Sequence, residues 1–176
     1  MANVSDVAAA VIARAGAVDQ IKLQKLLYYA QGWSLAWRGE ALFPETVEAW
    51  RWGPVVNAAY QDYKRHGMGE FERPESGDSE ALTVEELGVV AAVVDRYGQL
   101  GQWELQQLTH EDPAWLEAWG DRGPDDRGRQ AIDLDLMVRT FRRGFGSPDQ
   151  PAPGDEALVE RASAGDQEAL EALLRA

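Results

Sequence analysis

The sequence predicts a mainly α protein: a compact multi-helix domain with one small extended (β) element, followed by a linker and an amphipathic helical tail. Three observations predict it. Apolar residues recur at spacings of three and four through successive segments, which is the helical period. Several segments open on Ser, Thr or Asp and close on glycine, the usual start and stop signals of helices. One stretch, Ala41–Trp52, is rich in large apolar residues yet carries no helical period.

In order along the chain, Ser5 is expected to cap a first helix with Val7, Val11 and Ile12 on one side and Gly16 as its stop. Asp19 precedes a long helix, Gln20–Arg38, whose Leu23, Leu26, Leu27, Ala30, Trp33, Ser34 and Trp37 form a wide inward face; Gly39 ends it. Ala41–Trp52 reads as a short extended segment or irregular loop packed on the helices. Gly53-Pro54 is expected to open the next helix, because proline at the first helical position sacrifices no backbone bond. Val56, Ala59, Tyr60 and Tyr63 carry its period as far as Arg65. Gly67–Leu82 reads as an exposed acidic loop. Thr83-Val84-Glu85-Glu86 is a capping box ahead of Leu87, Val90, Ala91, Val94 and Tyr97, with Gly98 as the stop. A short helix runs from Gln102 to about Leu108. Asp112-Pro113 starts another, carrying Trp115, Leu116 and Trp119, and residues 121–130 form a polar loop. Asp133 caps a last helix with Leu134, Met137, Val138 and Phe141 inward. Residues 1–143 are thus one domain and residues 144–154 a Gly/Pro linker. Residues 155–176, with Leu158, Val159, Ala162, Leu170, Leu173 and Leu174, form a tail too short to fold alone. It is expected to dock on the domain, on a second copy in a homo-oligomer, or on a partner.

Composition narrows the function. The 176 residues, 45% of them apolar, have the mass of one domain with a real core. No apolar run approaches the ~18 residues of a membrane span, and Met1–Gly16 lacks the layout of a secretory signal. Cysteine is absent, which removes disulfides, thiolate zinc sites and cysteine nucleophiles. The simplest location is the cytoplasm. Net charge is −13, unevenly spread: residues 1–66 hold seven Lys+Arg against six Asp+Glu, residues 67–176 ten against twenty-four. A basic footprint for nucleic acid is missing, whereas the acidic half would steer a basic partner into contact.

The search for chemistry is short. Of the two histidines, His66 ends a helix beside Gly67, where it complements the helix dipole. His110 lies in Thr109-His110-Glu111-Asp112, with no glycine-rich phosphate loop and no second histidine at metal-ligand spacing. It reads as a structural residue at the junction of two short helices. No catalytic residue, metal site or cofactor is expected. Aromatic residues, by contrast, crowd the first half: Tyr28, Tyr29, Trp33, Trp37, Phe43, Trp50, Trp52, Tyr60 and Tyr63. Such side chains combine large area with a polar tip and dominate binding hot spots. Trp33, Trp37, Phe43 and Tyr63 are assigned to the core, and one of Trp50 and Trp52 to a surface groove. Gln24, Tyr28 and Gln31, at spacings of four and three, form a second stripe beside the inward face, suited to recognising another chain. With Trp50, Trp52 and Tyr60 they make up the expected partner-binding patch.

The same residues carry a resemblance. Lys22-Leu23-Gln24-Lys25-Leu26-Leu27-Tyr28-Tyr29-Ala30-Gln31-Gly32-Trp33, then Leu42-Phe43 with Glu45, Glu48-Ala49-Trp50, Gly53-Pro54-Val55-Val56 and Tyr60 resemble the signature of the Panacea domain. That family is also known as SocA-like antitoxins or the phage-associated GepA type. Leu108-Thr109-His110 followed by Trp115 is similar to its LTH…PW element, except that Asp112-Pro113-Ala114-Trp115 separates the proline from the tryptophan. Lys22, Lys25, Gly53, Pro54, Thr109, His110 and Trp115 are the motif positions, and the resemblance runs through residues 5–143. It implies a compact helical domain without an established catalytic centre, whose members neutralise toxins encoded beside them. One member is an adaptor that delivers its toxin to a bacterial ATP-dependent protease. The implied partners are therefore a cognate protein toxin and, in the adaptor case, such a protease.

Overall fold

The computed structural model describes residues 1–143; the expected linker and tail lie outside the described residues. Among the described residues there are seven α-helices, six of them arranged about the long second one. They are α1 (Val4–Ala15), α2 (Gln20–Arg38), α3 (Asn57–Tyr63), α4 (Val84–Tyr97), α5 (Gln102–His110), α6 (Pro113–Trp119) and α7 (Leu134–Arg142). A three-stranded antiparallel sheet, order β2-β1-β3, is formed by β1 (Val47–Trp50), β2 (Gly53–Val56) and β3 (Gln130–Ala131). The mainly α class with a small β element is the one the periodicities predict. None of the described helices is long and apolar enough to cross a membrane.

Helix α2 is buried along nearly its whole length, from Gln20 through Trp37 with only Ile21 and Lys22 half-exposed. Asp19 caps it by accepting from the Lys22 N–H at 2.9 Å, and Gly39 closes it in the left-handed conformation at φ 69. Its aromatics hold the core together. Tyr29 stacks on Tyr97 of α4 at 4.1 Å, and Trp33, whose Nε1 donates to the Tyr97 hydroxyl at 2.9 Å, stacks on Trp37 at 4.9 Å. Phe141 of α7 lies edge-on to Tyr28, Tyr29 and Trp33, and its ring rests directly on Gly32, where a Cβ would overlap it. Gly32 thus allows α7 to pack against α2.

Several local expectations are corrected. The cap of α1 is Asn3, whose side chain accepts from the Asp6 N–H; Ser5 lies inside the helix and donates to Asp62. Gly53-Pro54 opens a strand, with the helix starting only at Asn57. Gly53 takes φ 102, a turn conformation outside the helical region, and Pro54 pairs opposite Ala49 on an edge strand, where a missing N–H is tolerated. The polar loop at 121–130 ends in β3, which pairs Ala131 with Glu48. In α7, Met137, Thr140 and Phe141 are buried while Leu134 is exposed. The capping box at Thr83, the Asp112 cap with Pro113 at the first turn, and the Asp133 cap form as expected.

Candidate partner-binding site

Site geometry begins with the tight turn Arg51-Trp52 that joins β1 to β2. Trp50 and Trp52, two residues apart, would share a face of a continuous strand. The strand ends at Trp50, however, and Trp52 stands on the turn with 49% of its surface exposed.

Side chains from three helices, all buried except the half-buried His110, grip the backbone on both sides of that turn. From α2, Lys25 Nζ donates to the Pro54 carbonyl at 3.0 Å, and Gln24 Oε1 accepts from the Val56 N–H at 2.9 Å. From α6, Trp115 Nε1 donates to the Trp50 carbonyl at 3.0 Å. From the end of α5, the His110 ring meets the backbone of Arg51 and stacks on Trp115 at 4.5 Å. Gly53 makes the clamp sterically feasible. A Cβ there would stand 2.8 Å from Lys25 Nζ and 2.9 Å from Thr109 Oγ1. About two turns further along α2, Gln31 holds the preceding loop: its Oε1 accepts from Leu42 N at 2.7 Å and Nε2 donates to the Phe43 carbonyl at 2.9 Å.

The motif positions therefore converge. Lys25, Gly53, Pro54, Thr109, His110 and Trp115 meet beneath the hairpin, while Lys22 Nζ caps the end of α4 by donating to the Gly98 carbonyl at 2.6 Å. The expected exposure of Gln24, Tyr28 and Gln31 is corrected: each is at most 2% exposed. The two amides recognise backbone as their chemistry suggests, but it is the backbone of their own chain. Helical spacing marks them as one stripe; it cannot tell solvent from the strand, loop and helices that pack on that stripe.

Electrostatics under the clamp are unusual. Burial pushes Lys25 down to about 7. Asp112, capping α6 from a fully buried position, is pushed up to about 6 by burial, opposed by the Tyr28 hydroxyl and by the N–H groups of Ala114 and Trp115. Burial and the facing Asp112 raise Tyr28, and burial with Tyr97 and Asp112 raises Tyr29. Burial and the neighbouring Lys25 lower His110. Tyr28 Oη and Asp112 Oδ2 face one another without closing a well-aligned hydrogen bond, and His110 Nε2 is buried with no acceptor or donor. At the junction of α5 and α6, His110 stacks on Trp115 and meets the Arg51 backbone, while its Nε2 makes no hydrogen bond. Among the described residues no group of histidines and carboxylates is arranged to hold a metal ion.

Above the clamp, Trp52 forms one wall of an open groove of about 350 Å³. Tyr60 of α3 and Trp103 of α5 provide further aromatic wall, Ile21 and Met68 the apolar floor and rim, and Gln20, Lys64 and Gly67 complete it. Trp52, Met68 and Trp103 are three of the eight large apolar side chains exposed among the described residues, and all three meet here. Exposed apolar surface gathered in a concavity is the usual mark of an interaction site. Of the six residues expected to bind a partner, Trp52 and Tyr60 line this groove. Trp50 backs it, with its ring 5.0 Å from Tyr60 and the Arg129 guanidinium 4.9 Å from the ring centre. Ile21, Lys64, Met68 and Trp103 escaped the sequence reading. Trp103 did leave a signal: in α5 the inward residue is Leu105, so a tryptophan two positions before it points off the apolar face.

A family model described as antitoxin SocA-like, Panacea domain, matches residues 23–116. No curated protein and no solved structure matches the chain. The matched stretch is more than half of the 176 residues. It runs from α2 through the hairpin to α6, taking in every side chain of the clamp, and the chain accordingly belongs to the family of SocA-like antitoxins built on the Panacea domain.

Proposed function

We propose that this chain neutralises a cognate protein toxin by direct protein–protein contact, with the Trp52–Trp103 groove as the docking site and no chemistry performed on the toxin. The observation that carries this reading is the convergence of Trp52, Met68 and Trp103 on one concavity whose wall is held by a buried clamp. Family membership supports the antitoxin role. A preorganised aromatic wall costs little conformational entropy on binding, and a few desolvated aromatic anchors carry most of a standard interface of about 1,600 Å². The acidic surplus of residues 67–176 favours a toxin of basic overall charge, steered at long range. Neutralisation then follows from covering or distorting the toxin's working surface.

The test is co-expression with each neighbouring gene, scored by rescue of growth, followed by the same assay with Trp52→Ala and Trp103→Ala. Both residues are exposed, so both variants keep the wild-type melting temperature. Each weakens binding by about 30-fold, the effect of a hot-spot residue worth about 2 kcal/mol. Folded variants that bind and rescue like the wild type would refute the reading.

A second reading, an adaptor that presents the toxin to an ATP-dependent protease, requires a second face. A shallow concavity between α1 and α4, lined by Ala10, Ala13, Val84, Leu87 and Ala91, supplies one that shares no residue with the groove. Val84→Asp would then abolish toxin degradation while leaving toxin binding intact.

A further inference from the structure

We infer that the segment of the partner entering the groove carries a large apolar side chain flanked by a carboxylate, so that an acidic-apolar motif docks locally whatever the partner's overall charge. The inference rests on the groove being the docking site and adds the chemistry of what enters it.

Two features set that chemistry. The lining is aromatic and aliphatic, with the adaptable thioether of Met68 at the rim, which suits one bulky apolar side chain. The one charged residue in the groove's lining is a cation, Lys64. It donates only to the neutral amide of Gln61 at 2.8 Å; no carboxylate among the described residues pairs with it. The Arg51 guanidinium lies 4.8 Å over the Trp52 ring, and its one ion pair, with Asp125 at 3.4 Å, is exposed on both sides. A stacked guanidinium keeps its edge N–H donors for a planar carboxylate.

The neighbouring carboxylates keep their charge but point their oxygens to donors of their own, Glu48 to the Trp50 indole N–H at 2.6 Å. Glu104, next to Trp103, accepts from the Gly101 N–H at 2.7 Å. Asp19, next to Gln20, caps α2, and Asp62 accepts from the hydroxyls of Ser5 and Ser76. Arg65 and His66 are both engaged by Glu75 and add nothing to the balance. A chain of net charge −13 thus places a lysine without a carboxylate partner in the groove's lining, and an arginine over Trp52, where its exposed tryptophans gather.

The experiment uses the full chain and two twelve-residue peptides sharing a central Trp-Leu pair, one flanked by glutamates and the other by lysines. Binding is followed through the indole N–H NMR signals of Trp52 and Trp103 at low ionic strength. The glutamate peptide is expected to shift both signals and to bind at least about five-fold more tightly than the lysine peptide, the preference reversing in Lys64→Glu. Equal binding of the two peptides, tighter binding of the lysine peptide, or no shift at either indole overturns the inference. The toxin assay separates the two failures. If Trp52→Ala loses rescue but the peptides show no charge preference, the docking reading stands and the acidic motif falls. If Trp52→Ala rescues fully, the docking reading itself falls.

Discussion

Replacing Lys25 by methionine is expected to make the protein more stable and less active, a split that follows from where the ammonium sits. Lys25 is fully buried and its single hydrogen bond goes to the Pro54 carbonyl. Its value of about 7 lies some 3.5 below the ordinary 10.5, so the unfolded chain holds this proton more tightly than the folded one. Protonation therefore favours unfolding, by about 5 kcal/mol below pH 7 at roughly 1.4 kcal/mol per pH unit. Between pH 7 and 10.5 the folded chain sheds the proton first, and stability rises toward its full value. At pH 7.5 the penalty is about 4 kcal/mol. Methionine, similar in volume, removes it but leaves the Pro54 carbonyl without a donor, at a cost of about 1–3 kcal/mol. The net expectation is a gain of about 1–3 kcal/mol at pH 7.5, shrinking to nothing or reversing by about pH 9.5.

The assay is urea unfolding of both proteins at constant ionic strength from pH 7 to 9.5. Asp112, at about 6, and His110, lowered from 6.5, titrate on the acid side of this window, and the raised Tyr28 and Tyr29 on the alkaline side. The wild type should gain about 3 kcal/mol across the window while Lys25→Met stays nearly flat. The variant also releases one of the four grips on the hairpin, so toxin rescue should fall as stability rises. Parallel pH dependences for the two proteins would refute the assignment of a depressed Lys25, and undiminished rescue would refute its positioning role.

Other substitutions probe the same architecture. Gly53→Ala forces a side chain into positive φ and against Lys25 Nζ, and should cost about 2–4 kcal/mol in denaturant unfolding while displacing Trp52; an unchanged midpoint would remove the steric basis of the clamp. Gly32→Ala drives a methyl into the Phe141 ring and should lower stability by about 1–3 kcal/mol with loss of near-ultraviolet dichroism from the surrounding tryptophans; the paired change Phe141→Leu should recover part of it. Gln24→Leu leaves the buried Val56 N–H unpaired, at about 1–3 kcal/mol, and hydrogen exchange at that amide should accelerate relative to the rest of β2.

Much of the fold was legible because its signals are local. Asp19 and Gly39 bound α2, Thr83 with Glu86 opens α4, and Asp112-Pro113 starts α6, each through atoms within a few residues of one another. Gly53-Pro54, a helix start by its local signals, instead opens β2 just after the Arg51-Trp52 turn. The outcome depended on Lys25, twenty-nine positions earlier in sequence, waiting for the Pro54 carbonyl. The site was legible only in fragments. Trp52 and Tyr60 could be picked out as aromatics in a segment rich in them, but Met68 and Trp103 join them only when α3, the loop after it and the start of α5 are brought together.

Residue order alone determined the helical class, most caps and stops, the charge asymmetry and the set of motif positions, since each depends on spacing along the chain. Only the tertiary structure decided which stripe of α2 faces water. The hairpin over Gln24, the loop before it over Gln31, and Asp112 with Phe141 against Tyr28 turned an apparent recognition surface into internal support, because a buried amide or ammonium must find its partner in whatever backbone lands on it.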